Sequence, residues 1–226
     1  MRSRSATRFV GRGGARRTCI AGALRAVVLL AATVPFGMRH AYATSAGPQP
    51  GTTGAPAIGG LGAEMTCVSC HNTSTVNPDG AAKIELRGAP DRYAPGQRYA
   101  LTFIVSDADP AVKGYGFQLT AVSRASGKRA GDLVATDEKA TQVIDGDLGD
   151  RQYVEHTYGG MGAGKTGGQS WTFAWVAPAH DGGDVAFYAA VNAANLDGSN
   201  GGDRIYTRSP EPLAVSHGAG AGKEAR

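Results

Sequence analysis

Cysteine is scarce in this chain, with three in 226 residues. Cys19 falls in an arginine-rich leader, which leaves only Cys67 and Cys70. Two thiols exclude a four-thiolate zinc site, and no second Cys or His pair lies nearby at zinc-finger spacing. Long apolar runs are missing too. Ala26 to Val34 is apolar except for Thr33, about half the ~20 residues a membrane span needs. Residues 44–226 carry no convincing helical stripe, which argues against a helical domain. No Ser-His-Asp order and no carboxylate pair stands out, so enzymatic activity is not expected.

Acid is absent from the first 43 residues, which hold eight arginines, Arg16 and Arg17 among them. A basic stretch, a short apolar run and the small-x-small pattern Ala41-Tyr42-Ala43 make residues 1–43 a secretory signal peptide, with cleavage expected after Ala43. Twin-arginine export fits the residues after Arg17 only loosely. Removing the eight arginines leaves 15 basic against 19 acidic residues, so the formal charge moves from +4 to −4. The basic balance of the whole chain therefore belongs to the leader, and nucleic acid is not an expected partner. A periplasmic or extracellular location is expected, with no transmembrane segment in the mature chain.

In an oxidising compartment a neighbouring cysteine pair becomes a disulfide, a metal site or a cofactor tether. The residues here are Cys67-Val68-Ser69-Cys70-His71, the C-x-x-C-H attachment signature of c-type haem. Two thiols three positions apart can each form a thioether to one porphyrin, and the following His can reach the iron. One covalent haem c is the cofactor this predicts. The alternative is a cofactor-free module with a Cys67–Cys70 disulfide. For a sixth iron ligand the order of preference is His156, in the strand-like run Tyr153–Thr157, and then Met161, in a Gly-rich loop. His180 falls in a turn, His217 at the edge of the tail, and Met65 too close to the motif to cross to the far side. A redox partner protein follows from the haem reading.

Residues 44–63, rich in Gly, Pro, Ala, Thr and Ser, read as a flexible linker. Residues 64–80 form the C-x-x-C-H segment, 81–216 the main domain and 217–226 a flexible tail. The main domain reads as all-β. Lys83–Arg87, Arg98–Val105, Gly114–Ala121, Trp171–Trp175 and Val185–Val191 carry alternating apolar or β-branched and aromatic residues. Ile205–Thr207 and Leu213–Val215 are shorter candidates. Turn residues separate the runs, and roughly seven strands at this spacing predict a two-sheet, immunoglobulin-like sandwich.

Several fragments occur in a telling order: Gly54-Ala55-Pro56, Thr66–His71, Tyr93–Tyr99, Gly116–Leu119, His156-Thr157, Trp171–Pro178, Val185–Ala190, Asn192–Asn195 and Gly202–Thr207. Together they resemble the Reeler-like domains of the bacterial choice-of-anchor V proteins, over roughly residues 54–208. The resemblance implies a secreted Reeler-like β-sandwich, often preceded by a C-x-x-C-H segment. Many such proteins carry a C-terminal anchoring tail, whereas this chain ends in Gly218–Arg226.

Two further motifs are read as decoys. Gly159–Thr166 matches the P-loop pattern, but it leads into the Trp171 strand rather than a helix, so no nucleotide is expected. Asp145, Asp147 and Asp150, and Asp197, Asn200 and Asp203, are oxygen-rich clusters that Asx turns explain more simply than calcium does.

Overall fold

Alternating apolar residues become strands because period two places them on one face of a pleated sheet. In the computed structural model, which describes residues 44–74, 76–78, 82–180, 182–207 and the backbone of 213–217, eleven strands form. These residues lie in one compact unit, His40–Arg226. Residues 1–43, 75, 79–81, 181, 208–212 and 218–226, the leader and the tail among them, lie outside the described residues.

The first sheet has four antiparallel strands. They run in the order β1 (Lys83–Arg87), β3 (Arg98–Ser106), β8 (Gly168–Val176) and β5 (Asp132–Ala135). The second begins with β2 (Arg92–Tyr93) and β11 (Leu213–His217). It continues through β9 (Val185–Ala194), β4 (Gly114–Ser123), β7 (Gln152–His156) and β6 (Thr141–Asp145). Its pairs are antiparallel except β2 with β11. Two short strands share one edge of β9. The strand β10 (Arg204–Thr207) pairs with residues 190–193, and β11 pairs with 185–187. The result is the all-β, two-sheet immunoglobulin-like sandwich expected from the alternation. The strands not singled out beforehand, β2, β5 and β6, are short and carry charged or polar residues.

The core between the sheets is aromatic. Phe103 and Phe117 stack at 5.1 Å, Phe117 and Trp171 lie 4.4 Å apart, and Trp175 meets Phe187 edge-on at 5.2 Å. Each of these rings is essentially free of solvent. Burying such a side chain stabilises the fold by about 1.5–3 kcal/mol. The two indole N–H groups keep partners: Trp171 donates to Gly160 O and Trp175 to Ala130 O, each at 2.8 Å.

The other face of the second sheet is buried as well, and this differs from expectation. On β4 the residues Gln118 and Thr120, which alternate with the core residues, are 0 % exposed. The cover is the segment read as a flexible linker. Thr52 donates through its backbone N to Gln118 Oε1 at 2.8 Å, and Gln118 Nε2 donates to Gln49 O at 3.0 Å. Within the segment, Gly54 N donates to Met65 O and Glu64 N to Ala55 O, each at 2.8 Å.

A buried clamp holds this strap. Glu64 Oε1 accepts from Arg151 Nη1 at 2.5 Å and from the Tyr153 hydroxyl at 2.7 Å. Its other oxygen accepts from Thr53 Oγ1. The Glu64 and Arg151 side chains are 1 % and 0 % exposed. Composition alone suggested flexibility because Gly and Pro lower intrinsic order. Here polar side chains from two strands supply the partners that fix the backbone.

Candidate functional site

The C-x-x-C-H residues sit on a short turn laid against the strap-covered sheet. Thr66 opens a 3₁₀ turn at Cys67–Ser69, its hydroxyl accepting from Val68 N. Cys67 O then accepts from Cys70 N at 3.2 Å and from His71 N at 2.9 Å. In such a turn residues three apart lie on one side, so the two thiols are neighbours and His71 follows directly. Both side chains are free thiols.

Downstream, the segment is tied to β10. Ser74 Oγ donates to Asp203 O, Val76 bridges Ile205, and Asn77 N donates to Ile205 O at 2.8 Å.

The two cysteines differ. Cys67 packs against Ala190 of β9 and Ile205 of β10 and is 8 % exposed. Burial pushes its thiol up to about 12, because a thiolate there would lose its hydration. Cys70 is only partly buried.

His71 is held by a carboxylate. Its Nδ1 lies 2.6 Å from Asp203 Oδ2. The same oxygen accepts from Asn192 Nδ2 at 3.2 Å, and Asp203 Oδ1 accepts from Asn195 N at 3.0 Å. Asp203 is therefore fixed from both oxygens. It belongs to a cluster read from sequence as Asx turns, yet its carboxylate pairs with the motif histidine.

His156 ends β7 where that strand leaves its pairing with β4. The backbone register stops at Gln118 and Glu155. Beyond it the His156 ring takes the strand's place beside Phe117. Nδ1 lies 3.1 Å from Phe117 N and 3.3 Å from Phe117 O. In one neutral tautomer Nδ1 accepts from the N–H; in the other it donates to the carbonyl and leaves Nε2 with a free lone pair. Burial lowers the His156 pKa, and the contact with Phe117 opposes this.

Gly116 makes room for the ring. A Cβ there would lie 2.6 Å from His156 Cε1. Gly116 pairs across the sheet with Asn192, the residue beside His71. The two histidines thus stand over neighbouring strands, His156 at Gly116 of β4 and His71 at Asn192 of β9.

These residues line one cleft of about 230 Å³. Cys67, Cys70, His71 and His156 all border it, and so does Met161. The strap residues Pro48, Gln49 and Thr52 close one side, and Leu196 to Asn200 the other. Met65 and His180 do not line it; both are exposed. The side chain of His217 lies outside the described residues. Among the described residues no group of three or more His, Cys, Asp or Glu could hold a bare metal ion.

The site's chemistry fits a tethered haem. His71 Nδ1 has Asp203 as its acceptor; His156 Nδ1 lies 3.1 Å from Phe117 N, a donor, and 3.3 Å from the Phe117 carbonyl oxygen. For His71 the carboxylate is the support that metal-binding histidines usually have; its Nε2 lies 3.2 Å from Asn192 Nδ2, a contact that an iron would replace. Asn192 Oδ1 is buried at the cleft with no partner, and Gly116 leaves the sheet floor free for the His156 ring. Sequence reasoning missed Asp203, Asn192 and Gly116 as site residues. The Gly202-Asp203 pair before β10 was the one signal that could have marked Asp203.

The P-loop-like stretch is not built as a phosphate cradle. Tyr158–Met161 form a 3₁₀ turn, Gly162 adopts a left-handed conformation, and β8 follows at Gly168. Gly160 O accepts from both Trp171 and Gln169.

No protein-family model matches the chain, and no curated protein matches it. Among solved structures, the chain is similar to the human F-spondin reeler domain, at 18% identity and a TM-score of 0.44, over 67% of this chain and 98% of that one. It is similar to the Reelin-N domain of F-spondin, at 20% identity and a TM-score of 0.40, over 63% and 93% of the two chains. An uncharacterized protein from Nocardia farcinica with an immunoglobulin-like fold is similar at 12% identity and a TM-score of 0.37, over 61% and 98%.

Proposed function

We propose that this chain is an exported c-type haem protein whose role is electron transfer, with no catalytic reaction of its own. One observation carries the reading. A single cleft gathers the whole Cys67, Cys70, His71 turn together with His156, and His71 Nδ1 faces the Asp203 carboxylate.

In this reading Cys67 and Cys70 hold the porphyrin. Each thiol would hold the group through a thioether. His71 would be one ligand to the iron and His156 the second, with Met161 as the alternative to His156. When bound, the haem supplies one-electron redox chemistry, whose potential follows axial ligand and burial. Strap residues Pro48, Gln49 and Thr52 and loop residues Leu196 and Asn200 would flank the group. A redox partner protein would dock at the cleft mouth. The basic leader, short apolar run and Ala41-Tyr42-Ala43 pattern of residues 1–43 support a periplasmic or extracellular location.

The test is expression in a host with haem-maturation machinery, followed by a denaturing gel with haem stain and an intact mass. A stained band heavier by one haem is expected. A colourless protein two hydrogens lighter than the dithiol would instead be the cofactor-free module with a Cys67–Cys70 disulfide.

A further inference from the structure

Asp203 is placed to do more than cap a loop. It is 6 % exposed, and its described ion-pair partner is His71, at 2.6 Å from Nδ1. The neighbouring Arg204 pairs with Asp109 instead, at 2.5 Å. Among the described residues, His71 is the ion-pair partner of this carboxylate. A carboxylate accepting from Nδ1–H fixes the tautomer, raises the electron density on the ring and makes Nε2 a stronger donor. In a buried setting the effect is larger than in water.

We infer that Asp203 is the positioning residue that tunes His71, holding the haem potential low by favouring the ferric state. Asn192 acts against it: its Nδ2 donates to the same Asp203 oxygen and also lies 3.2 Å from His71 Nε2, so it competes for both the carboxylate and the ring. This inference rests on the haem reading.

Two variants of the haem-loaded protein test it with opposite signs. In Asp203→Asn the amide cannot take up the ring proton's charge. The reduction equilibrium against a reference couple should move toward the ferrous form by about tenfold, which is 59 mV for a one-electron couple. In Asn192→Leu the carboxylate is left to His71, and the equilibrium should move the other way. Asp203→Glu, which keeps the charge, should recover most of the wild-type value. A general disturbance of the cleft would shift all three variants in one direction.

Redox titration of haem-stained protein separates the possible failures. If Asp203→Asn is stained and titrates like wild type, the inference is overturned and the haem reading stands. If Asp203→Asn does not fold, Asn192→Leu decides alone: a lower potential supports the inference, and an unchanged or higher one overturns it. An unstained wild type overturns the haem reading and the inference together.

Discussion

The two faces of the second sheet are buried by opposite means. The inner face meets the first sheet through stacked rings such as Phe103, Phe117 and Phe187, and few polar atoms intervene. The outer face meets a strap through hydrogen bonds: Gln118 bonds to Thr52, Arg151 and Tyr153 bond to Glu64, and Gln118 is bonded in turn to Glu155. The inner face gives bulk stability from area removed from water. The outer face gives position, because hydrogen bonds and charges tolerate little misplacement. The candidate haem cleft opens on the outer face, where side chains must be aimed as well as buried.

The largest expected effects test this contrast directly. Phe103→Ala removes a fully buried ring and should cost about 3–5 kcal/mol, read from chemical denaturation. Glu64→Ala should cost a similar amount, about 3–5 kcal/mol, because it strands the buried Arg151 guanidinium. The two losses should differ in how they are repaired. Replacing Glu64 and Arg151 together by Leu and Met should recover most of the stability. If the double variant is as unstable as Glu64→Ala alone, the clamp is not an isolated ion pair.

A smaller effect is expected at Gly116. Gly116→Ala places a methyl against the His156 ring and should cost about 1–3 kcal/mol through overpacking. It should also displace the ring from Phe117, so the haem-loaded variant should lose low-spin character while keeping its covalent haem. A variant with wild-type spectrum and stability would show that the ring has room to move.

The smallest expected effect is a change of slope. Burial raises the Glu155 pKa from 4.5 to about 7, against hydrogen bonds from Gln118 and Gln142 that lower it. A raised carboxyl pKa means that the folded state prefers the protonated form. The contribution is therefore most favourable below about 4.5 and is lost as pH rises through about 7. His156, with its lowered pKa, works in the opposite direction as pH falls. The difference between wild type and Glu155→Gln cancels the His156 contribution. Relative to wild type, Glu155→Gln should gain stability between pH 4.5 and about 7. A difference that stays flat across that window would show that Glu155 is ionised throughout.

The contrast between the faces also explains what could be read from sequence. The inner face announces itself: Trp171, Phe173 and Trp175 alternate with other residues, and β1, β3, β4, β8 and β9 follow from that pattern. The outer face has no comparable signature. Gly116, Gln118 and Thr120 occupy positions that normally face water, and nothing local says that a Gly/Pro-rich strap covers them. Arg151 and Glu64 are 87 residues apart in the chain, so their pairing carries no periodic signal. The site divides in the same way. Cys67, Cys70 and His71 are contiguous and legible as a motif. His156 could be ranked only by its place in a strand-like run. Asp203 and Asn192 join the site through the β9–β10 pairing, which local sequence does not specify.

The central claim is that the outer face holds a covalent haem between His71 and His156. The most direct measurement is the absorption spectrum of haem-stained wild type beside His156→Ala. The account predicts that both proteins stain, since Cys67 and Cys70 are untouched. Wild type should be six-coordinate low-spin; His156→Ala should move toward high-spin and return to low-spin when imidazole is added. A colourless wild type would contradict the claim outright. A stained His156→Ala with an unaltered spectrum would contradict the role of His156 and point to Met161.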